Sequence, residues 1–379
     1  MSLTLAFLEG GLVSAAAWRA LFGSKALLHA AMRRARLAER VLILGTSPLA
    51  AALVREVGAG HRARHVIAGV AEESVAGERG LATGPAPVPT DALGPMIELT
   101  RPDRIVVAMA ERRRRLPLRQ LLEARARGII VENGASFYER LTGKVAFESL
   151  APGDLLFAPE HHAPLASRLA SRALSLLVSL AGLLLLAPVF VLVAVAIKLD
   201  SRGPVFFVQE RSGERDRRFR LIKFRTMHPA SAATSEWARD NDDRITRVGR
   251  WLRTFRLDEL PQFVNVLKGD MNLVGPRPHP ACNVPLFRER IPYYALRGTV
   301  RPGITGWSQV RYGYANSLEE ETEKMRYDLY YIKHASPWLD LRILLDTVKI
   351  VLLGRGASKA LYPSGETARP LPGLGNRAA

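Results

Sequence analysis

The chain reads as an α/β protein in which a parallel-sheet domain precedes a long apolar helix and a small α+β domain. Three observations predict this. Between residues 40 and 132, short apolar runs alternate with helical patterns, as in a parallel sheet covered by helices. Residues 173–197 are 25 positions without a charge, enough to cross a hydrocarbon core of about 30 Å. Beyond them, two alternating strand patterns and several amphipathic helices surround Arg253–Pro278, a run dense in carboxylates, cations, glycine and proline.

Composition narrows the partners. At 379 residues there is room for two domains and an appended element, and a formal net charge of +18 calls for an anionic partner: nucleic acid, an anionic membrane surface or phosphorylated substrates. The single cysteine, Cys282, permits no internal disulfide and fits a reducing compartment. The start does not read as a cleavable signal, because no basic side chain precedes the apolar run and Glu9 interrupts it.

Residues 1–39 read as an apolar and then basic helical segment. Residues 3–22 contain Glu9, Gly10 and Gly11 and suit an interfacial or packing helix, or the remnant of a membrane segment. The domain at 40–150 follows. Residues 41–44 form an apolar strand, Gly45 opens a tight turn and Leu49–Val57 has helical periodicity. Further strands are expected at His65–Val70, Arg104–Met109 and Ile129–Glu132, with helices at Gly94–Leu99 and Leu116–Arg127. This alternation is Rossmann-like. The turn Gly45–Ala50 lacks most of the dinucleotide fingerprint, and Glu72 and Glu73 alone do not supply it; a structural or regulatory role is expected. Arg112–Arg115 reads as a solvated face or one lying on anionic lipid. Phe137–Leu156 and the stretch 151–171 read as linker, with His161 and His162 in a surface loop.

The apolar run, taken as 172–198, is too uniform for a core helix of a soluble domain. Arg168 and Arg172 precede it, and Lys198, Arg202 and Arg211 follow, so the positive-inside tendency puts both ends on the cytoplasmic side. Pro188 should kink or break the helix. A re-entrant hairpin satisfies both observations, and a simple span is the alternative.

The remainder, 199–356, holds the chemistry. Val205–Glu210 and Phe219–Met227 read as strands, and alternation puts Lys223 and Arg225 on one face. A helix is expected from near Asp258 to Lys268, with Pro261 in its first turn. Asp258 and Glu259 then sit at a helix N-terminus and diverge by roughly 100°, which suits different roles; an N-cap and a first-turn acid would look the same. Arg253, Arg277 and Arg301, with Lys223 and Arg225 second, are the candidate phosphate ligands. Gly303, in Arg301–Trp307, would allow close backbone approach to an anion. Trp307, Tyr312 and Tyr314 could stack on a base, but suit a membrane interface or the core better. Glu319–Ile332 reads as a charged helix. Pro337–Leu353 reads as an amphipathic one, with Leu341, Leu344, Leu345, Val348, Val351 and Leu352 on a broad apolar face meeting membrane or core. Residues 357–379 have the composition of a disordered tail.

Five ordered runs carry a resemblance: Lys198–Glu210, Lys223–Met227, Leu257–Gln262, Lys268–Pro278 and Arg301–Gln309. From Arg172 to Gly356 the chain resembles the bacterial sugar transferases, the monotopic polyprenyl-phosphate sugar-1-phosphate transferases. Its α/β part is similar to the N-terminal domain of longer, exosortase-associated members. The resemblance implies a re-entrant membrane helix, a monotopic phosphoglycosyl transferase domain at the cytoplasmic face of the bacterial inner membrane, and Mg2+ dependence. It implies a UDP-sugar donor, a polyprenyl phosphate acceptor and UMP release at the start of exopolysaccharide or glycan assembly. The family's catalytic pair falls on Asp258 and Glu259, with Asp258 as nucleophile and metal contact and Glu259 assisting the acceptor. A homodimer is a possible assembly, and no nucleic-acid partner is expected. Ser175 and Ala187 depart from residues frequent in the family. A membrane-bound nucleotide-sugar-modifying enzyme and a non-catalytic membrane scaffold are the alternatives.

Overall fold

Val41, Leu42, Ile43 and Leu44 are all fully buried, because the strand they form is covered on both faces and no position needs to be polar. The computed structural model describes residues 38–58, 64–72, 88–89, 93–109, 116–147, 165–228, 243–313 and 315–353. The segments expected at 3–22, Arg112–Arg115, His161–His162 and 357–379, together with Glu73 and Tyr314, lie outside them. The chain divides into two compact units, Met1–Leu150 and Ala151–Ala379.

In the first unit, β1 (Glu39–Leu44) pairs in parallel with β2 (His65–Glu72) on one side and β4 (Arg104–Val107) on the other. The short β3 (Val88–Pro89) and β5 (Ile130–Asn133) complete a parallel sheet of order β3-β2-β1-β4-β5. Alternate residues feed opposite cores. Leu42, Leu44, Ile105 and Val107 pack with α2 (Leu93–Thr100) and α3 (Leu118–Ala126). Val41, Ile43 and Val106 pack with α1 (Pro48–Gly58) and α4 (Gly134–Thr142). Arg104 ties three strands together, with Nε 2.7 Å from Glu39 of β1 and Nη1 2.5 Å from Glu132 of β5.

Gly45 (φ +115°) is required by packing, because a Cβ would lie 2.6 Å from the Ala108 carbonyl oxygen. Ser47 Oγ donates to that same oxygen at 2.5 Å, so the turn closes on the end of β4. The expected linker from Phe137 is helix α4, started by Asn133, whose side chain accepts from Ala135 N–H, and stopped by left-handed Gly143. Phe137 is a core residue.

In the second unit, α5 (Leu165–Leu185) begins inside the stretch expected as linker. It is long and apolar enough to cross a membrane, yet only 11% of its most apolar stretch is buried. The helix stops at Leu186, and α6 (Ala187–Asp200) starts with Pro188 in its first turn, where a fixed φ and a missing N–H cost nothing. Arg172 anchors α5 by donating to the Met271 and Val266 carbonyls, both at 2.8 Å. At the far end of α6, Lys198 is exposed and Asp200 Oδ2 accepts from Val248 N–H at 3.0 Å.

β6 (Phe206–Ser212) and β7 (Arg218–Phe224) form an antiparallel pair. After α7 (Arg247–Thr254) and α8 (Gln262–Lys268), β8 (Asn272–Val274) pairs in parallel with β9 (Gly303–Thr305), and α9 (Val284–Arg290) lies between them in sequence. The helices α10 (Trp307–Arg311), α11 (Leu318–His334) and α12 (Pro337–Leu352) follow. Trp307 is a core residue, 2% exposed and stacked on Tyr330. The apolar residues of α12 divide. Leu339, Ile343 and Ile350 enter the core together with Asp340 and Asp346, whereas Leu341, Leu345, Val348 and Leu352 are exposed. Asp340 is satisfied inside, accepting from Tyr331 Oη at 2.8 Å and Ser171 Oγ at 2.6 Å.

Candidate active site

Leu252, Leu257 and Leu260 join one apolar cluster with Phe224, Val193 and Ile197, and this draws the two acids between Leu257 and Leu260 below the surface. Asp258 is 8% exposed and Glu259 4%. The pair does not open a helix. It lies in a 3-10 turn, Leu257–Glu259, and α8 starts only after Pro261. The residue before the turn, Arg256, has φ 54°, a left-handed conformation that costs a non-glycine residue of order 1 kcal/mol or more.

The two carboxylates have different surroundings. Arg277 Nη2 lies 2.7 Å from Glu259 Oε1, and Lys223 Nζ is 3.3 Å from the same oxygen. Burial alone would raise the pKa of Glu259, but Arg277, Lys223 and Arg256 outweigh it and hold the carboxyl well below its usual range. Asp258 makes no ion pair among the described residues. Burial and the adjacent Glu259 push it up to about 6, against the opposing pull of Lys223, Arg253 and Arg277. At neutral pH the site therefore holds one fixed, neutralised carboxylate beside one poised and unpaired carboxylate. Lys223 is lowered to about 8, first by burial and then by Arg277.

The expected phosphate ligands are only partly brought together. Lys223 and Arg277 close on Glu259. Arg253 contributes its charge to Asp258 and donates from Nε to Thr226 Oγ1 at 3.1 Å. Arg225 does not join Lys223. Strand β7 ends at Phe224, and the Arg225 guanidinium turns to the Ser201 and Arg202 carbonyls, both at 2.8 Å, satisfying the chain just beyond α6. Arg301 pairs with Glu214 at 3.1 Å. Gly303 is not an anion cradle, since its N–H donates to Pro276 O at 3.0 Å. Its lack of a side chain is a packing need, as a Cβ would lie 2.1 Å from Gly275 N.

Several residues of the site had no local signal in the sequence. Asn265, fully buried, ties α8 to β7 by accepting from Ile222 N–H at 3.1 Å and donating to Arg220 O at 2.7 Å. Arg211, Arg297 and Asp328 support the loop that carries Arg277 from distant elements. Arg277 also lines a shallow cleft, open to solvent, between Gly213, Asp216, Pro278, Gly298 and Val300.

The donor set fits a magnesium ion. Such sites use one or two carboxylates and complete the shell with water and substrate phosphate, and the Asp258 carboxylate has no cation of its own among the described residues. Those residues contain no cluster of three or more His, Cys, Asp or Glu side chains able to hold a metal, so substrate and water would supply the remaining ligands.

A buried carboxylate pair framed by cations thus lies in the same unit as a long, apolar and mostly exposed helix. The family model described as bacterial sugar transferase matches residues 166–354, and the chain belongs to that family. It is 44% identical over 223 residues to the UDP-N-acetylgalactosamine-undecaprenyl-phosphate N-acetylgalactosaminephosphotransferase of Aeromonas hydrophila, covering 58% of this chain and 51% of the relative. It is 42% identical over 195 residues to the UDP-glucose:undecaprenyl-phosphate glucose-1-phosphate transferase of Escherichia coli K12, covering 50% and 42%. The exopolysaccharide production protein PSS of Rhizobium leguminosarum is 41% identical over 184 residues, covering 47% of this chain and 92% of the relative. The chain thus matches about half or less of the length of the first two relatives.

Proposed function

We propose that this protein transfers a sugar-1-phosphate from a UDP-sugar to polyprenyl phosphate at the cytoplasmic face of the bacterial inner membrane. The observation that carries this reading is the unequal pair: Glu259 neutralised by Arg277 and Lys223, and Asp258 buried, unpaired among the described residues and ionised near pH 7. A carboxylate so placed suits nucleophilic attack on phosphorus. An Asp258 oxygen attacks the sugar-linked phosphorus, forming an acyl phosphate as the bond to the leaving phosphate breaks and UMP departs. An oxygen of polyprenyl phosphate then attacks the same phosphorus, the acyl phosphate bond breaks and the Asp258 carboxylate returns. Arg277, Lys223 and Arg253 offset the negative charge gathered around the donor. Mg2+ held by Asp258 supplies further charge neutralisation when bound.

Membrane attachment as a re-entrant hairpin is consistent with both helices being tied to one unit. α5 is anchored through Arg172, Ser171 and Ser175, and α6 returns to the Phe224–Leu252 cluster through Val193 and Ile197. The break at Leu186–Pro188 allows the turn between them. The strand order of the first unit agrees with a Rossmann-like domain.

The test uses the full chain, solubilised in detergent. Incubation with a UDP-sugar and no lipid acceptor gives an intact-mass increase of one phosphosugar, absent in Asp258→Asn. Adding undecaprenyl phosphate then gives turnover with UMP release. Full turnover by Asp258→Asn, or release of UDP, overturns the proposal. A panel of UDP-hexoses and their N-acetylated forms in the same assay identifies the sugar.

A further inference from the structure

Four consecutive carbonyls, from Pro276 to His279, are each held by a donor from elsewhere in the unit. Pro276 O accepts from Gly303 N–H at 3.0 Å, and His279 O from Ser212 N–H at 3.1 Å. Arg277 O accepts from Arg297 Nη2 at 2.8 Å, and Pro278 O from Arg211 Nη1 at 3.0 Å. Pro276 and Pro278 also fix their own φ. The main chain of Arg277 is thereby tied on both sides, and its guanidinium arrives at Glu259 from a rigid base.

Arg297 is the unusual member. Its side chain is 9% exposed and that of Asp328 only 2%. Asp328 Oδ2 accepts from Arg297 Nε at 2.9 Å and lies 2.8 Å from Nη2. Nη1 lies 2.6 Å from His279 Nδ1. Arginine only donates, so Nδ1 accepts at this closer contact, and Nε2 lies 3.3 Å from Glu321. A buried ion pair is not in itself an efficient source of stability, because desolvation offsets much of the attraction. This one holds a carbonyl as well, and that carbonyl belongs to the arginine on the catalytic pair.

We propose that Arg297, anchored by Asp328, is a positioning residue for the transfer reaction: it fixes the Arg277 main chain so that the Arg277 guanidinium stays on Glu259 beside Asp258. Among the described residues Arg297 forms no hydrogen bond or ion pair with Asp258 or Glu259, so it acts through Arg277. The inference rests on the proposed function for its activity readout.

Arg297→Lys keeps the charge beside Asp328 but replaces a forked group by one nitrogen, which cannot hold Asp328 and the Arg277 carbonyl in the same geometry. In the full chain in detergent, kcat falls about tenfold with a smaller change in KM. Combined with Arg277→Lys, the Arg297 substitution costs less than about twofold more, since the residue it acts through is already altered. Unchanged kcat in a folded Arg297→Lys protein, or losses that multiply in the double variant, overturn the proposal. If Arg297→Lys gives no cooperative melting transition, Asp328→Glu is measured in the same way.

Labelling by phenylglyoxal, followed by peptide mass spectrometry, gives a readout independent of turnover. Arg277 reacts faster in the variant than in the wild type if Arg297 holds its base, and an equal rate overturns the proposal. A wild-type chain without turnover fails the functional reading, and the labelling rates still decide the clamp.

Discussion

Arg277 Nη2 and Lys223 Nζ both converge on Glu259 Oε1, at 2.7 and 3.3 Å. Two cations on one oxygen leave the adjacent Asp258 carboxylate without an ion pair among the described residues, although the two acids are neighbours in sequence and both are buried. The division of labour between them follows from this unequal sharing of positive charge.

The rate should have two pH limbs. Asp258, raised to about 6, must be ionised to attack, so kcat/KM falls as pH drops through about 6. Lys223, lowered to about 8, loses its charge as pH rises through about 8, and the donor's phosphates lose one neutralising partner. A pH profile of UMP release checks both limbs.

Asp258→Asn should remove turnover yet raise stability. The folded pKa of Asp258 lies above its unfolded value, so the stability linked to its proton is present below about pH 4 and lost as pH rises through about 6. An amide removes that loss. The melting temperature of the variant exceeds that of the wild type at pH 8, by the equivalent of roughly 1–2 kcal/mol, and the difference shrinks at pH 4.

Asn265→Ala should destabilise the second unit by about 2–4 kcal/mol, because it strands buried backbone groups of β7. The groups are Ile222 N–H, 3.1 Å from Asn265 Oδ1, and Arg220 O, 2.7 Å from Nδ2. Denaturant unfolding in detergent, compared with the wild type, measures the change.

The two faces of α12 should respond differently to charge. Val348 is 53% exposed and Ile343 fully buried. Val348→Glu leaves the stability within about 0.5 kcal/mol of wild type and weakens partition into anionic vesicles. Ile343→Glu buries an unpaired carboxylate and prevents folding. Vesicle sedimentation together with thermal melting distinguishes the two.

How much of this was legible in the sequence depends on the range of the interaction. The parallel α/β unit was readable because alternation is set by local stereochemistry: Val41 and Leu42 point to opposite faces whatever surrounds them. The end of the apolar helix was readable for the same reason, since Pro188 carries its own fixed φ and lacks an N–H. The helix start was misjudged near Asp258, because a 3-10 turn and a helical turn share almost the same residue preferences. The amphipathic pattern of Pro337–Leu352 was visible, but its division between core and surface was not. Asp340 enters the core only because Ser171 and Tyr331 meet it there.

The family, the adjacency of the two acids, the apolar helix and the proline that ends it are all written in the order of residues along the chain. These are properties of contiguous residues and their backbone limits. It is folding that makes Glu259 the neutralised acid, turns Arg225 to the chain just beyond α6 and Lys223 to the site, and sets Arg297 on the Arg277 carbonyl. Each of those outcomes depends on burial and on charges brought together from segments far apart in the chain, and electrostatic energy depends on distance in space, not on separation in sequence.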